Sequence, residues 1–201
     1  MTPLSPLEQD RVITNTIELT LDNFSLAWHV TDLLIEYAAT SLPWPQATVF
    51  LSGLGRSVQI PGRNCGFFTT PVIHMAILDC RRSLEFFGLT FDSKKRSFEP
   101  IKKERRKDDL GIEHFGLQRA TINDLVGASS IVSCVLLEHL LADIHHWGNK
   151  RLAHFTLLEP DIDRVAIRDM CKAMIDAYLR LLFDALGRPR PRIQPANSQI
   201  P

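Results

Sequence analysis

The sequence predicts an all-α fold: an antiparallel helical bundle of about four main helices with a long irregular insertion. Three observations predict it. Four stretches carry apolar residues at helical spacing. Each stretch is bounded by residues that start or stop helices. Alternating, strand-like runs are confined to 48–51 and 57–60, which form at most one small hairpin. At 201 residues, with 45% apolar and 23% charged residues, the chain is long enough for one domain with a true core.

The first helix opens at Ser5, with Pro6 in the first turn and Glu8 three residues after the cap, the spacing of a capping box. Val12, Ile13, Ile17, Leu21 and Phe24 follow helical spacing. Leu26, Val30, Leu33, Leu34, Tyr37 and Ala38 extend it towards Ser41, either as one helix or as two broken near Asp22 and Asn23. Pro43 and Pro45 end it. Residues 43–69, with four glycines and three prolines, read as the insertion, a long surface connection with room for one short helix near 46–54, and a length of loop uncommon in a compact domain. Thr70 and Pro71 restart a helix with Ile73, Ile77, Leu78, Leu84 and Phe87 on its apolar face and Gly88 as its stop.

Residues 89–119 read as irregular and charge-rich. Thr121 then caps a helix with Asp124 in its first turn, and Ile131, Val132, Val135, Leu136, Leu140, Ile144 and Trp147 are its expected core stripe. The last helix opens at Glu159, Pro160 and Asp161, buries residues from Val165 to Leu182, and stops at Gly187. Residues 1–187 are thus one helical domain. Residues 188–201, with four prolines and three arginines, are expected to be a disordered tail.

Charge and cysteine content narrow the function. Lys plus Arg and Asp plus Glu are both 23, so the chain as a whole is not a strongly basic nucleic-acid binder. The four cysteines show no C-x-x-C pair, and three of them sit in helical apolar stretches, as buried thiols do. The N-terminus shows no leader pattern and no uncharged run is long enough to span a bilayer, so a cytoplasmic location with no membrane partner is expected. Dinucleotide and phosphate-binding glycine loops are missing, and no cofactor is expected.

Two polar clusters stand out. The run 94–107 holds eight basic and two acidic residues around Phe98, a composition that can track a phosphate backbone through Lys102, Lys103, Arg105 and Arg106; its other reading is a solvated loop. The second cluster spans His139, Asp143, His145, His146, Asn149, Lys150, Arg151 and His154. His139, Asp143 and His146 at i, i+4 and i+7 share a helix face, which is a metal-ligand spacing. No further ligand accompanies them in the sequence, so no metal is expected, and a solvated polar face with i, i+4 pairs is the plainer reading.

The end of that cluster, 148–155, reads GNKRLAHF. A polar Asn-Lys-Arg followed by Leu-Ala-His at the end of a long apolar helix resembles the signature of the HEPN superfamily, in which an Arg is followed after four to six residues by a His. Abortive-infection-like members are the nearest in pattern. The resemblance covers these eight residues and the helical layout of about 120–187. It implies a metal-independent endoribonuclease of the toxin or phage-defence type, acting as a homodimer on RNA, with an antitoxin or other protein partner. His154 then takes the family's histidine, Asn149 its polar residue, and Lys150 a phosphate contact. The family's arginine position falls on Gly148, and Arg151 is the nearby arginine. Two other classes stay open: a non-catalytic helical interaction or scaffold protein, and a metal-binding bundle using His139, Asp143 and His146.

Overall fold

Ser5 starts the first helix through the capping box its sequence implies. Its Oγ accepts from Glu8 N at 3.4 Å, and the Glu8 carboxylate accepts from Ser5 N at 2.9 Å. Helix α1 (Pro6–Val12) runs through a π-helical turn, Ile13–Ile17, into α2 (Glu18–Ala38) without breaking at Asp22 and Asn23. This is a computed structural model, and it describes residues 3–40, 46–53, 56–64, 66–102, 104–106, 109–130, 134–148 and 163–193.

The fold is mostly helical. After α2 come an antiparallel hairpin, β1 (Gln46–Gly53) and β2 (Arg56–Asn64), and helix α3 (Gly66–Phe87). A second hairpin, β3 (Leu89–Asp92) and β4 (Ser97–Pro100), follows directly. A 3-10 turn (Ile112–Phe115) leads to α4 (Ile122–Ala128), α5 (Cys134–Trp147), α6 (Arg164–Ala177) and a closing π-helical turn, Tyr178–Asp184. Thr121 and Asp124 form the cap of α4 expected from sequence. Asp163 caps α6 by accepting from Val165 N at 2.9 Å.

Helix α2 lies chiefly against α6 and then α3, and α6 also meets α4 and α5. The core between them holds Ile13, Ile17, Leu21 and Phe24, then Ile73, Ile77, Leu84 and Phe87 of α3, Leu137, Leu141 and Ile144 of α5, and Ile167, Met170 and Met174 of α6. A single buried aromatic cluster, Phe86, Phe87, Phe115 and Tyr178 with ring centroids 4.9–5.9 Å apart, joins the end of α3 to the 3-10 turn and the last helix. The Tyr178 hydroxyl is satisfied by donating to Ser83 Oγ at 3.0 Å.

Several apolar positions face differently from the sequence expectation. Leu26 and Leu33 point to solvent, and α5 is turned so that Leu137 and Leu141, not Leu136 and Leu140, are sealed. The stretch 89–119, expected to be irregular, contains the β3–β4 hairpin. Its strands are four residues each, too short for periodicity to announce them. Its turn is held by Asp92, whose Oδ1 accepts from Lys94 N at 2.9 Å and Lys95 N at 3.3 Å. Gly88 joins α3 to β3 at φ 95°, where a Cβ would lie 2.7 Å from Arg119 Cβ, so both conformation and space require glycine. Within the tail, Arg188 reaches Asp10 at 2.5 Å, Arg190 pairs with Asp184, and Ile193 is partly buried. Residues 194–201 lie outside the described residues.

Candidate functional site

The β3–β4 hairpin sets Phe91 opposite Phe98 in register, and α5 brings His145 onto both. Its ring centroid lies 4.8 Å from Phe91 and 6.1 Å from Phe98. A cavity of about 220 Å³ opens beside this trio, lined also by Arg81, Glu85 and Thr90. Burial, then the Arg81 charge, then His146 push the His145 imidazole down to a pKa of about 4. At neutral pH it is an uncharged ring at an aromatic edge, able to donate or accept a hydrogen bond.

Seven residues after Phe98, Arg105 of the basic run is taken into the structure. Its side chain is 6% exposed. Nε donates to Glu113 Oε1 at 2.8 Å, and Nη2 donates to the carbonyls of Glu85 and, at 3.2 Å, Phe86. Those carbonyls belong to the last turn of α3, where Glu85 O also accepts from Gly88 N at 3.0 Å, so Arg105 adds a side-chain cap to that helix end. Arg119 closes the arrangement from the other side, donating to Glu113 Oε1 at 3.0 Å and to Ile101 O at 2.5 Å. Burial raises the Glu113 carboxyl, but the hydrogen bonds from Arg105, its own backbone and Arg119 outweigh it and hold the group below the usual carboxylate range. Gly111 leaves the space: a Cβ there would sit 2.2 Å from Arg105 Nε and 2.5 Å from Glu113 Oε2.

The other cations of the run are spread over the surface. Lys102 is exposed and lies 3.3 Å from Glu99, which also pairs with Lys95. Arg96 pairs with Asp143 of α5. Arg106 is exposed, and its backbone N–H donates to Asp109 at 3.3 Å. Lys102, Arg105, Arg106 and Arg82 line a groove of about 650 Å³ together with Glu85, Glu99, Glu104 and Asp109, so acids and bases share it. Lys103 lies outside the described residues.

The motif itself, with Asn149, Lys150, Arg151 and His154, also lies outside the described residues. What flanks it is described. Gly148, the last described residue before it, is buried, and a Cβ there would lie 3.1 Å from Ile77 Cγ2 of α3. A side chain at the position matched to the family's arginine would meet the Ile77 methyl closely and require it to shift by a few tenths of an ångström. His139 and His146 are exposed, Asp143 is held by Arg96, and no group of three or more His, Cys, Asp or Glu with metal-ligand proximity occurs among the described residues.

Sequence reasoning passed over the His145 cavity. Phe91 and Phe98 meet only once the two four-residue strands pair, and neither residue announces that pairing locally. No helix described is long and apolar enough to cross a membrane. No family model, curated protein or solved structure matches this chain.

Proposed function

We propose that this chain is a HEPN-like protein of the toxin or phage-defence type, built as an antiparallel helical bundle, that cleaves RNA as a cytoplasmic homodimer without a metal. One observation carries the reading: GNKRLAHF follows directly on α5 and precedes the capped start of α6, the helix–motif–helix order of that family. In this reading His154 takes the proton of a ribose 2′-hydroxyl. The 2′-oxygen attacks the adjacent phosphorus, the bond to the 5′-oxygen breaks, and that oxygen takes a proton from water while the proton on His154 returns to solvent. The products are a 2′,3′-cyclic phosphate and a 5′-hydroxyl. Arg151 and Lys150 hold the phosphate charge, and Asn149 orients it. Lys102, Lys103 and Arg106 extend the contact along the backbone, while Arg105 is spent on the end of α3.

The chelator experiment tests it. Purified protein incubated with single-stranded RNA in excess chelator should yield fragments with cyclic phosphate ends. Cleavage that disappears with chelator removes the mechanism.

A second reading has its own support. Gly148 is buried close against the Ile77 methyl, and the family's arginine is missing from that position. A non-catalytic interaction protein with an HEPN-like shape, binding a protein partner or antitoxin, accounts for that. Protein that binds RNA or a partner yet never cuts RNA, with or without metal, selects this reading.

A further inference from the structure

Two openings flank the exposed end of α3 where it meets β3. The smaller is the cavity of about 220 Å³ beside His145. Pockets for drug-sized ligands run to about 300–1,000 Å³, so this one suits a single heterocyclic ring. Its wall is aromatic. Phe98 is sealed beneath, while Phe91 and His145 are half-buried and keep part of their rings open. The imidazole is uncharged at neutral pH, so a flat neutral ring meets no charge there. The rim is polar. Arg81 and Glu85, one turn apart on α3 and both exposed, line it, and Arg81 Nε donates to Glu85 Oε1 at 3.3 Å. A guanidinium and a carboxylate have more donors and acceptors than that one bond uses. The groove of about 650 Å³ continues from the cavity, since Glu85 and Thr90 line both, and exposed Arg82 lines the groove.

We propose that the His145 cavity is a binding site for a guanine base. The ring stacks on Phe91 and His145, as unpaired bases stack on aromatic side chains. The rim decides which base enters. Guanine carries two donors side by side, N1–H and the N2 amino group, and next to them two acceptors, O6 and N7. A carboxylate fits the first pair and a guanidinium the second. Glu85 and Arg81 hold those two groups side by side at the cavity, in the order that the edge of guanine presents their partners. Adenine instead turns an acceptor, N1, towards the carboxylate and an amino group towards the guanidinium. Cytosine and uracil each present a single donor group on that edge. The sugar phosphate then runs into the groove. Acids and bases balance there, so the phosphate contact falls to Arg82 and the base supplies the selectivity. The same chemistry takes a guanine within an RNA strand or a free guanine nucleotide. The site goes beyond strand cleavage, because none of the residues lining the cavity belongs to GNKRLAHF.

The test is calorimetric binding to the full chain. The probes are GMP, AMP, CMP and UMP, and a 2′-O-methyl oligonucleotide of uridines around one guanosine, which cannot be cleaved through its 2′-oxygens. GMP should bind with a dissociation constant below about 1 mM and at least about tenfold more tightly than the other three nucleotides. Glu85→Gln, at an exposed side chain, should bring GMP and AMP to within about twofold of each other with an unchanged circular dichroism spectrum. Phe91→Leu keeps an apolar residue under the ring but removes the stacking face, and should weaken every base by about fivefold or more. Arg96→Ala, on the same hairpin but outside the cavity, should bind as wild type does. An oligonucleotide bound more tightly than GMP assigns the guanine to RNA, and GMP bound as well as the strand assigns it to a free nucleotide. Guanine binding without RNA cleavage counts against the nuclease reading alone. AMP bound as tightly as GMP, no GMP binding in that range, or a full guanine preference in Glu85→Gln overturns the site.

Discussion

Arg105 and Lys102 come from one basic run, three positions apart, and the fold uses them in opposite ways. Lys102 stays in solvent beside Glu99. Arg105 is drawn inside, where it satisfies two carbonyls at the end of α3 and, with Arg119, a buried carboxylate. The comparison teaches that a dense run of charge is not a uniform binding strip. Its members are sorted by what they can reach, and here the planar Arg105 guanidinium spans two helix-end carbonyls and the Glu113 carboxylate at once, a spread of donors that a compact ammonium cannot match.

The largest effect should come from removing the inner member. Arg105→Ala leaves the Phe86 carbonyl and one side of Glu113 without that donor, while Glu85 O keeps only the Gly88 N–H, and should cost roughly 2–3 kcal/mol in chemical denaturation. Arg105→Lys should recover only part of it. An Arg105→Ala midpoint equal to wild type would show the capping role to be wrong. Gly111→Ala attacks the same place from the other side. Its added methyl meets Arg105 and Glu113 and should destabilise by about 1–3 kcal/mol, read as a lower melting temperature.

Next comes acid sensitivity. The folded His145 binds its proton more weakly than an exposed imidazole, with a pKa near 4 against an ordinary 6.5. Acidifying from about pH 6.5 towards pH 4 therefore takes stability away. His145→Gln cannot bind that proton and should lose less over the same window in pH-dependent melting. Parallel losses in the two proteins would assign the acid sensitivity elsewhere. Glu113 acts from the acid end of that window downwards. Its folded carboxyl is depressed, so its contribution is complete above the ordinary carboxylate value of 4.5 and falls away as pH drops through the folded value. The smallest effect belongs to the outer members: Lys102→Ala and Arg96→Ala should leave the denaturation midpoint within error, since exposed pairs contribute little.

These contrasts also mark what the sequence can carry. Ser5 with Glu8, Thr121 with Asp124, and the stops at Gly88 and Gly187 were legible because caps and left-handed glycines are local chemistry. The helical content followed from periodicity. The outward turn of Leu26 and Leu33 was not legible, because leucines at helical spacing read the same whether they face the core or solvent. The choice of Leu137 and Leu141 over Leu136 and Leu140 depends on how α5 rolls against α6, a tertiary matter. Arg105 looked like every other cation in its run, since the carbonyls it serves lie about twenty residues away. The His145 cavity needs two four-residue strands to form before Phe91 and Phe98 meet, and nothing local to either residue states that pairing.

The proposed function narrows to one histidine. Single-turnover cleavage of RNA in chelator, compared between wild type, His154→Ala and His139→Ala, tests it most directly. Loss of a general acid–base group should slow the wild-type rate by a factor of about 10² to 10⁴ in His154→Ala, while His139→Ala, altered at an exposed position of α5, keeps the wild-type rate. Cleavage that survives His154→Ala at the wild-type rate would contradict the account.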